Sequence, residues 1–89
     1  MEKEVMLLTG AGQIGMAIAR RMGYGMKIVA GDKRMENAQA VADTMNRAGF
    51  DVLPVEMDLS SRASILGLIE TAQQYGEIAM LVNAAGVSP

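Results

Sequence analysis

The sequence predicts an α/β fold: a parallel sheet wound β-α-β-α-β-α-β in strand order 3-2-1-4, with helices on both faces. Three observations lead there. Four short apolar runs alternate with three stretches whose apolar residues recur at helical spacing. The strand-type runs are apolar almost throughout, so both of their faces must be covered, as crossover helices cover a parallel sheet. Right-handed crossovers in a doubly wound topology then place the third run at an edge. There Pro54, within that run, interrupts no ladder.

Each element follows from its own stretch. EVMLLT (4–9) is a short buried strand ended by Gly10, and QIGMAIARRM (13–22) is a helix with apolar residues at 14, 17, 18 and 22, ended by Gly23 and Gly25. MKIVAG (26–31) is the second strand. Between Lys33 and Ala48 the apolar positions 35, 38, 41, 42 and 45 share one helix face, and Gly49 stops the helix. DVLPVEMD (51–58) is the third strand. Ser60 or Ser61 offers an N-cap to ASILGLIETAQQY, with a stripe at 65, 68, 69 and 72. EIAMLVNAAG (77–86) is the fourth strand, running into small residues.

Composition bounds the function. Eighty-nine residues, 51% of them hydrophobic, make one globular domain spanning 1–89, near the small end of what buries its own core. A net charge of −2 with no basic cluster larger than Arg20-Arg21 or Lys33-Arg34 argues against a nucleic-acid or anionic-membrane surface. No apolar run approaches the roughly 20 residues needed to span a bilayer. MEKEV is acidic where a signal peptide is basic, so the expected location is cytoplasmic. Without cysteine or histidine there is no disulfide framework and no thiolate or imidazole metal site. The nine methionines read as core filler, with Met6, Met35, Met45 and Met80 among core-type residues.

The chemistry begins at TGAGQIG (9–15), a G-x-G-x-x-G pattern between a strand and a helix. Gly10 suits a tight turn, Gly12 lets the backbone approach a pyrophosphate, and Gly15 lets the helix pack close to the strand. Helix-start N–H groups can hold phosphates without a lysine, and the loop has no basic residue. It also lacks the Gly-Lys-Ser/Thr ending of ATP- and GTP-hydrolysing loops. Glycines in this pattern also mark plain turns. Asp32 adds weight, because a carboxylate closing the second strand, about 20 residues on, can accept from the hydroxyls of an adenosine ribose. It could instead cap the next helix.

Two further stretches, Asp58-Leu59-Ser60-Ser61 and Asn83-Ala84-Ala85-Gly86, close the third and fourth strands. With TGAGQIG and Asp32, this set resembles the short-chain dehydrogenase/reductase family over essentially the whole chain. The resemblance implies a Rossmann-like NAD(P)-binding domain, the amino-terminal cofactor half of an oxidoreductase. It implies that Gly10, Gly12, Gln13, Ile14 and Gly15 line the pyrophosphate and that Asp32 binds the adenine ribose. Asp58 would lie beside the adenine amino group, with Leu59 against the ring. Asn83, Ala84, Ala85 and Gly86 would run along the cofactor's ribose. The chain departs from the family pattern in having one residue fewer between Gly10 and Gly15, and Ala84 where a second asparagine is usual.

A carboxylate at Asp32 favours NAD over NADP, although Lys33 and Arg34 could each pair with a 2′-phosphate. The family's catalytic serine and Tyr-x-x-x-Lys pair are not in this sequence: Tyr24 is followed at the fourth place by Ile28, and Tyr75 by Ala79. The expectation is therefore a truncated cofactor-binding half without catalysis of its own. A stand-alone nucleotide-binding or regulatory module is the alternative, and a class I methyltransferase fragment, with its own glycine loop and acidic residue, a further one. An uncovered fourth strand also leads us to expect self-association through its edge.

Overall fold

A computed structural model describes residues 3–10 and 12–84, with backbone alone for Gln13 and Ile14. The element order is β1 (Val5–Thr9), α1 (Gln13–Met22), β2 (Lys27–Asp32), α2 (Met35–Arg47), β3 (Asp51–Glu56), α3 (Arg62–Gln73) and β4 (Ile78–Asn83). The four strands form one parallel sheet in the order β3-β2-β1-β4, as expected. All five residues of β1 are buried, which its central place requires, whereas β4 alternates half-buried and exposed residues at the edge.

Two apolar layers flank the sheet. On one face Met6, Leu8 and Ile28 pack with Ala38, Ala42 and Met45 of α2 and with Ala19 of α1. On the other, Val5, Leu7 and Val29 meet Leu68 and Ala72 of α3, with Ile65 and Ile69 packed alongside. The stripe expected on α3 thus faces the sheet. A register shift opposite Val5 and Met6 puts Ile78 against the α3 layer, while Met80 and Val82 pack on the opposite one.

The face expected for α1 is corrected. Gly15, Ala19 and Gly23 are buried, while Ala17 and Met22 are exposed. The reason is distance. An added Cβ at Gly23 would lie 2.7 Å from the Ile28 Cδ1, and one at Gly15 would lie 3.4 Å from the Leu8 Cδ1. At Gly15 and Gly23 there is no room for a larger residue, so small residues turn inward there, with Met16 packed half-buried beside them, Ile18 half-buried and Met22 facing out; the Ile14 side chain lies outside the described residues. Met35 is likewise more exposed than expected, because it begins α2 beyond the end of the sheet.

At the β3 edge the Asn46 side chain accepts the Val52 N–H at 2.8 Å and donates to the Val52 carbonyl at 3.1 Å. It therefore covers backbone groups that point away from β2. By strand alternation Pro54 shares that outward side, where its missing N–H leaves no ladder bond unmade. Gly49 follows α2 at φ +96°, the left-handed angle that ends a helix with little strain in glycine alone.

Candidate functional site

The carboxyl ends of the four strands carry the predicted site, and backbone hydrogen bonds tie them together. Gly10 N–H donates to the Gly31 carbonyl, Met57 N–H to that of Asp32, and Ala84 N–H to that of Thr9, each at 2.8 Å. The loop after β1, the end of β2 and the turn after β3 are thus fixed to one another through main chain. The buried Thr9 adds a side-chain link, its hydroxyl donating to Asn83 Oδ1 at 2.9 Å. Sequence reasoning assigned no role to Thr9; a hydroxyl at the last residue of a buried strand was the available signal.

The described glycines of the loop differ in what fixes them. Gly10 takes φ +87°, a turn conformation costly for any residue with a Cβ. Gly12 is the N-cap of α1, at φ −117° and ψ −171°, and its carbonyl accepts the Met16 N–H at 2.9 Å. Its extended backbone suits any residue, so glycine there is not explained by conformation. A Cβ added at Gly12 would meet nothing within 4 Å: the space in front of it is open. A Cβ at Gly15 would lie 2.5 Å from the Gly10 carbonyl oxygen, which excludes a side chain.

Among the described residues no side chain caps the N-terminus of α1, and its first turn holds no acidic residue, whereas Ser61 caps α3 by accepting the Ser64 N–H at 3.2 Å. The α1 terminus presents backbone N–H groups and the positive end of the helix dipole. Gln13 and Ile14 supply part of that first turn.

Asp32 closes β2, and its Oδ1 accepts the Arg34 N–H at 2.9 Å. That bond orients the carboxylate just ahead of α2, whose N-cap is Arg34 rather than Asp32. Lys33 is exposed beside it. Asp58 follows β3, with Oδ1 accepting both the Ser60 N–H at 2.9 Å and the Ser60 hydroxyl at 2.7 Å. These bonds, the hydroxyl's first, hold the Asp58 carboxyl below its ordinary pKa, and the Lys33 charge acts in the same direction. Leu59, between them, is 43% exposed. Asn83 ends β4, with Ala84 buried behind it near Gly15. Ala85 and Gly86 lie outside the described residues. Ser60 was weighed in sequence only as a helix cap; the spacing Asp-x-Ser after a strand was the signal for its actual bonds.

The short chain dehydrogenase family model matches residues 4–89. The chain belongs to that family. Among family relatives, the short-chain dehydrogenase/reductase bsc3 of Alternaria brassicicola is 37% identical over 89 residues, covering 100% of this chain and 32% of its own. Among solved structures, a short chain dehydrogenase/reductase from Burkholderia phymatum in complex with NAD has a TM-score of 0.80 at 31% identity, covering 90% of this chain and 30% of that one. An actinorhodin polyketide ketoreductase with NADPH has a TM-score of 0.84 at 31% identity, covering 91% and 32%. This family chain thus spans about a third of the length of these relatives, and its sheet is the Rossmann-like α/β fold they share. One of the two neighbours holds NAD and the other NADPH. Among the described residues of the chain, no helix is long and apolar enough to cross a membrane.

Proposed function

We propose that this chain is the dinucleotide-holding part of a cytoplasmic short-chain dehydrogenase/reductase, folded as one domain over residues 1–89. The observation that carries the reading is the N-terminus of α1. Among the described residues it has no side-chain cap, and in front of Gly12 is space that a Cβ would enter. An anion held there would lie on the same sheet edge as Asp32 and Asp58. Gly10, Gly12, Gln13, Ile14 and Gly15 hold the pyrophosphate through backbone N–H groups. Asp32 accepts from the adenosine ribose, Asp58 and Leu59 face the adenine, and Asn83, Ala84, Ala85 and Gly86 follow the nicotinamide-side ribose.

Asp32 carries a negative charge where a 2′-phosphate would come, so NAD is the preferred cofactor over NADP. Exposed Lys33 beside it leaves that preference modest. When bound, the cofactor gives or takes a hydride. This chain's share is to bind and orient it, because the acid/base Tyr-x-x-x-Lys pair of the family is not among its residues. The affinity expected of these residues alone is on the order of micromolar to millimolar.

Calorimetric titration with NADH and NADPH tests the reading, on wild type and on Asp32→Ala. The expected result is saturable NADH binding that is weakened at least about tenfold in the variant, in line with loss of a charged hydrogen bond. Binding of S-adenosylmethionine in place of either dinucleotide would overturn it.

A further inference from the structure

β3 is one edge of the sheet. Met57 N–H donates to the Asp32 carbonyl, so odd-numbered residues turn towards β2 and the backbone groups of residues 52, 54 and 56 point outward. Such a row is a template on which a strand from another molecule can add. Here each outward position is closed in its own way. Asn46 of α2 takes both backbone groups of Val52, accepting its N–H at 2.8 Å and donating to its carbonyl at 3.1 Å. Pro54 has no N–H to offer, and Glu56 puts an exposed carboxylate at the far end. We propose that Asn46 guards this edge: its side-chain amide occupies the strand-addition site of β3 and so keeps β4 of a second copy from extending the sheet there.

A primary amide offers what a peptide unit offers, an acceptor oxygen and a donor nitrogen. Asn46 spends both on one residue, the exchange that a residue of a neighbouring antiparallel strand makes with its partner. The end of α2 sets its place. Ala48 and Phe50 N–H donate to the Met45 carbonyl at 3.0 and 3.1 Å, and Gly49 N–H donates to that of Asn46 at 3.1 Å. The chain therefore reverses at once, and β3 starts beside the last turn of the helix. Asparagine is a poor helix former, and among the described residues only glycines take a positive φ, so neither propensity nor a special backbone angle accounts for Asn46. β4 is the strand that fits an unguarded β3. It carries no charged residue from Ile78 to Asn83, pairs only with β1 among the described residues, and exposes Leu81. Addition of β4 to β3 is head to tail and does not close, so it leads to open-ended assembly. With β3 guarded, two copies that meet through β4 have no second open edge, and association stops there.

The test follows sedimentation velocity over a range of concentrations, together with hydrogen exchange at the Val52 amide. Wild type is expected to show no species beyond a pair, with a Val52 amide protected equally at every concentration. Asn46→Ala should form larger species that grow with concentration, its association tightened about tenfold or more, the order expected of two backbone hydrogen bonds regained from a partner strand. Its Val52 amide should exchange fast when dilute and slow down as the protein assembles. Leu81→Lys added to Asn46→Ala should suppress the larger species by placing a charge on the incoming strand. Val41→Ala, a cavity in the buried face of the same helix, controls for lost stability and should leave assembly as in wild type. The inference is overturned if Asn46→Ala sediments as wild type does, or if Val41→Ala assembles equally. Assembly that leaves Val52 exchange unchanged, or that survives Leu81→Lys, would overturn it as well. One measurement needs no variant: a Val52 amide that exchanges in folded wild type as fast as an open one would show that Asn46 does not hold the edge.

Discussion

Adding one methyl group to either of two glycines three residues apart should have opposite consequences. At Gly15 the new Cβ would lie 2.5 Å from the Gly10 carbonyl oxygen, where ordinary contact begins near 3.4 Å. Helix and loop would have to part by about 0.9 Å, and neither atom is the tip of a flexible side chain. Overpacking of this kind costs about 1–3 kcal/mol. With two backbones involved we take the upper end and subtract the roughly 1 kcal/mol that alanine gains over glycine in a helix. The net loss is about 2 kcal/mol, or roughly 8–16 °C in Tm for a domain of this size. At Gly12 the same methyl meets nothing, and φ −117° suits any residue. Gly12→Ala should therefore leave stability unchanged or raise it by about 0.4–1 kcal/mol, through a less free unfolded chain. Its methyl would enter the space assigned to phosphate and weaken NADH binding by about tenfold or more, on the order of 1.4 kcal/mol. Thermal unfolding followed by circular dichroism and NADH titration measure the two effects separately. A Gly12→Ala protein that melts as early as Gly15→Ala, or binds NADH as wild type does, would show that the two glycines do not differ in this way.

The other expected effects are smaller. Asp51 takes bonds from Lys27 at 3.0 Å and Lys3 at 3.1 Å; burial alone would raise its pKa, but the two lysines outweigh burial and the net direction is down. A folded-state pKa below the unfolded value stabilises fully above about pH 4 and loses that contribution as pH falls through the folded value. Asp51→Asn should thus cost no more than about 1 kcal/mol at neutral pH, less at high salt. Its stability should converge with wild type in acid, and urea titrations across pH would show this. Asn46→Ala removes both bonds to Val52 and should cost about 1–2 kcal/mol, while exposing the β3 edge; a urea midpoint equal to wild type would show that those bonds add nothing. Among the described residues β4 pairs only with β1, and its Leu81 is 66% exposed. We expect concentration-dependent self-association through this edge, reduced by Leu81→Lys; sedimentation showing a monomer for both proteins at high concentration would count against it.

Most of the architecture was legible because it follows from local pattern. Apolar runs, their helical spacing and Pro54 in the third run were enough for the order β3-β2-β1-β4, with Pro54 on the outward side of the edge strand. The face of α1 was not legible. Hydrophobicity favours positions 14, 17, 18 and 22, but how closely the helix may approach the sheet depends on Leu8, Ile28 and Ala84, which belong to three other parts of the sheet. The candidate site divides in the same way. Gly10, Gly12, Gly15, Asp32 and Asp58 stand out by type and by position at strand ends. Ser61 as the cap of α3, Ser60 as the partner of Asp58 and Thr9 as the partner of Asn83 do not, because a hydroxyl in a Ser-Ser pair or at a strand end has several possible acceptors.

Short-range pattern and motifs were sufficient for the strands and helices, the family, and the residue types gathered at the sheet's carboxyl edge. Which face of α1 turns inward, which serine serves Asp58 and how little room Gly15 has beside the Gly10 carbonyl emerge only in the folded chain. Those outcomes depend on distances of a few ångströms, which residue type and spacing alone do not specify.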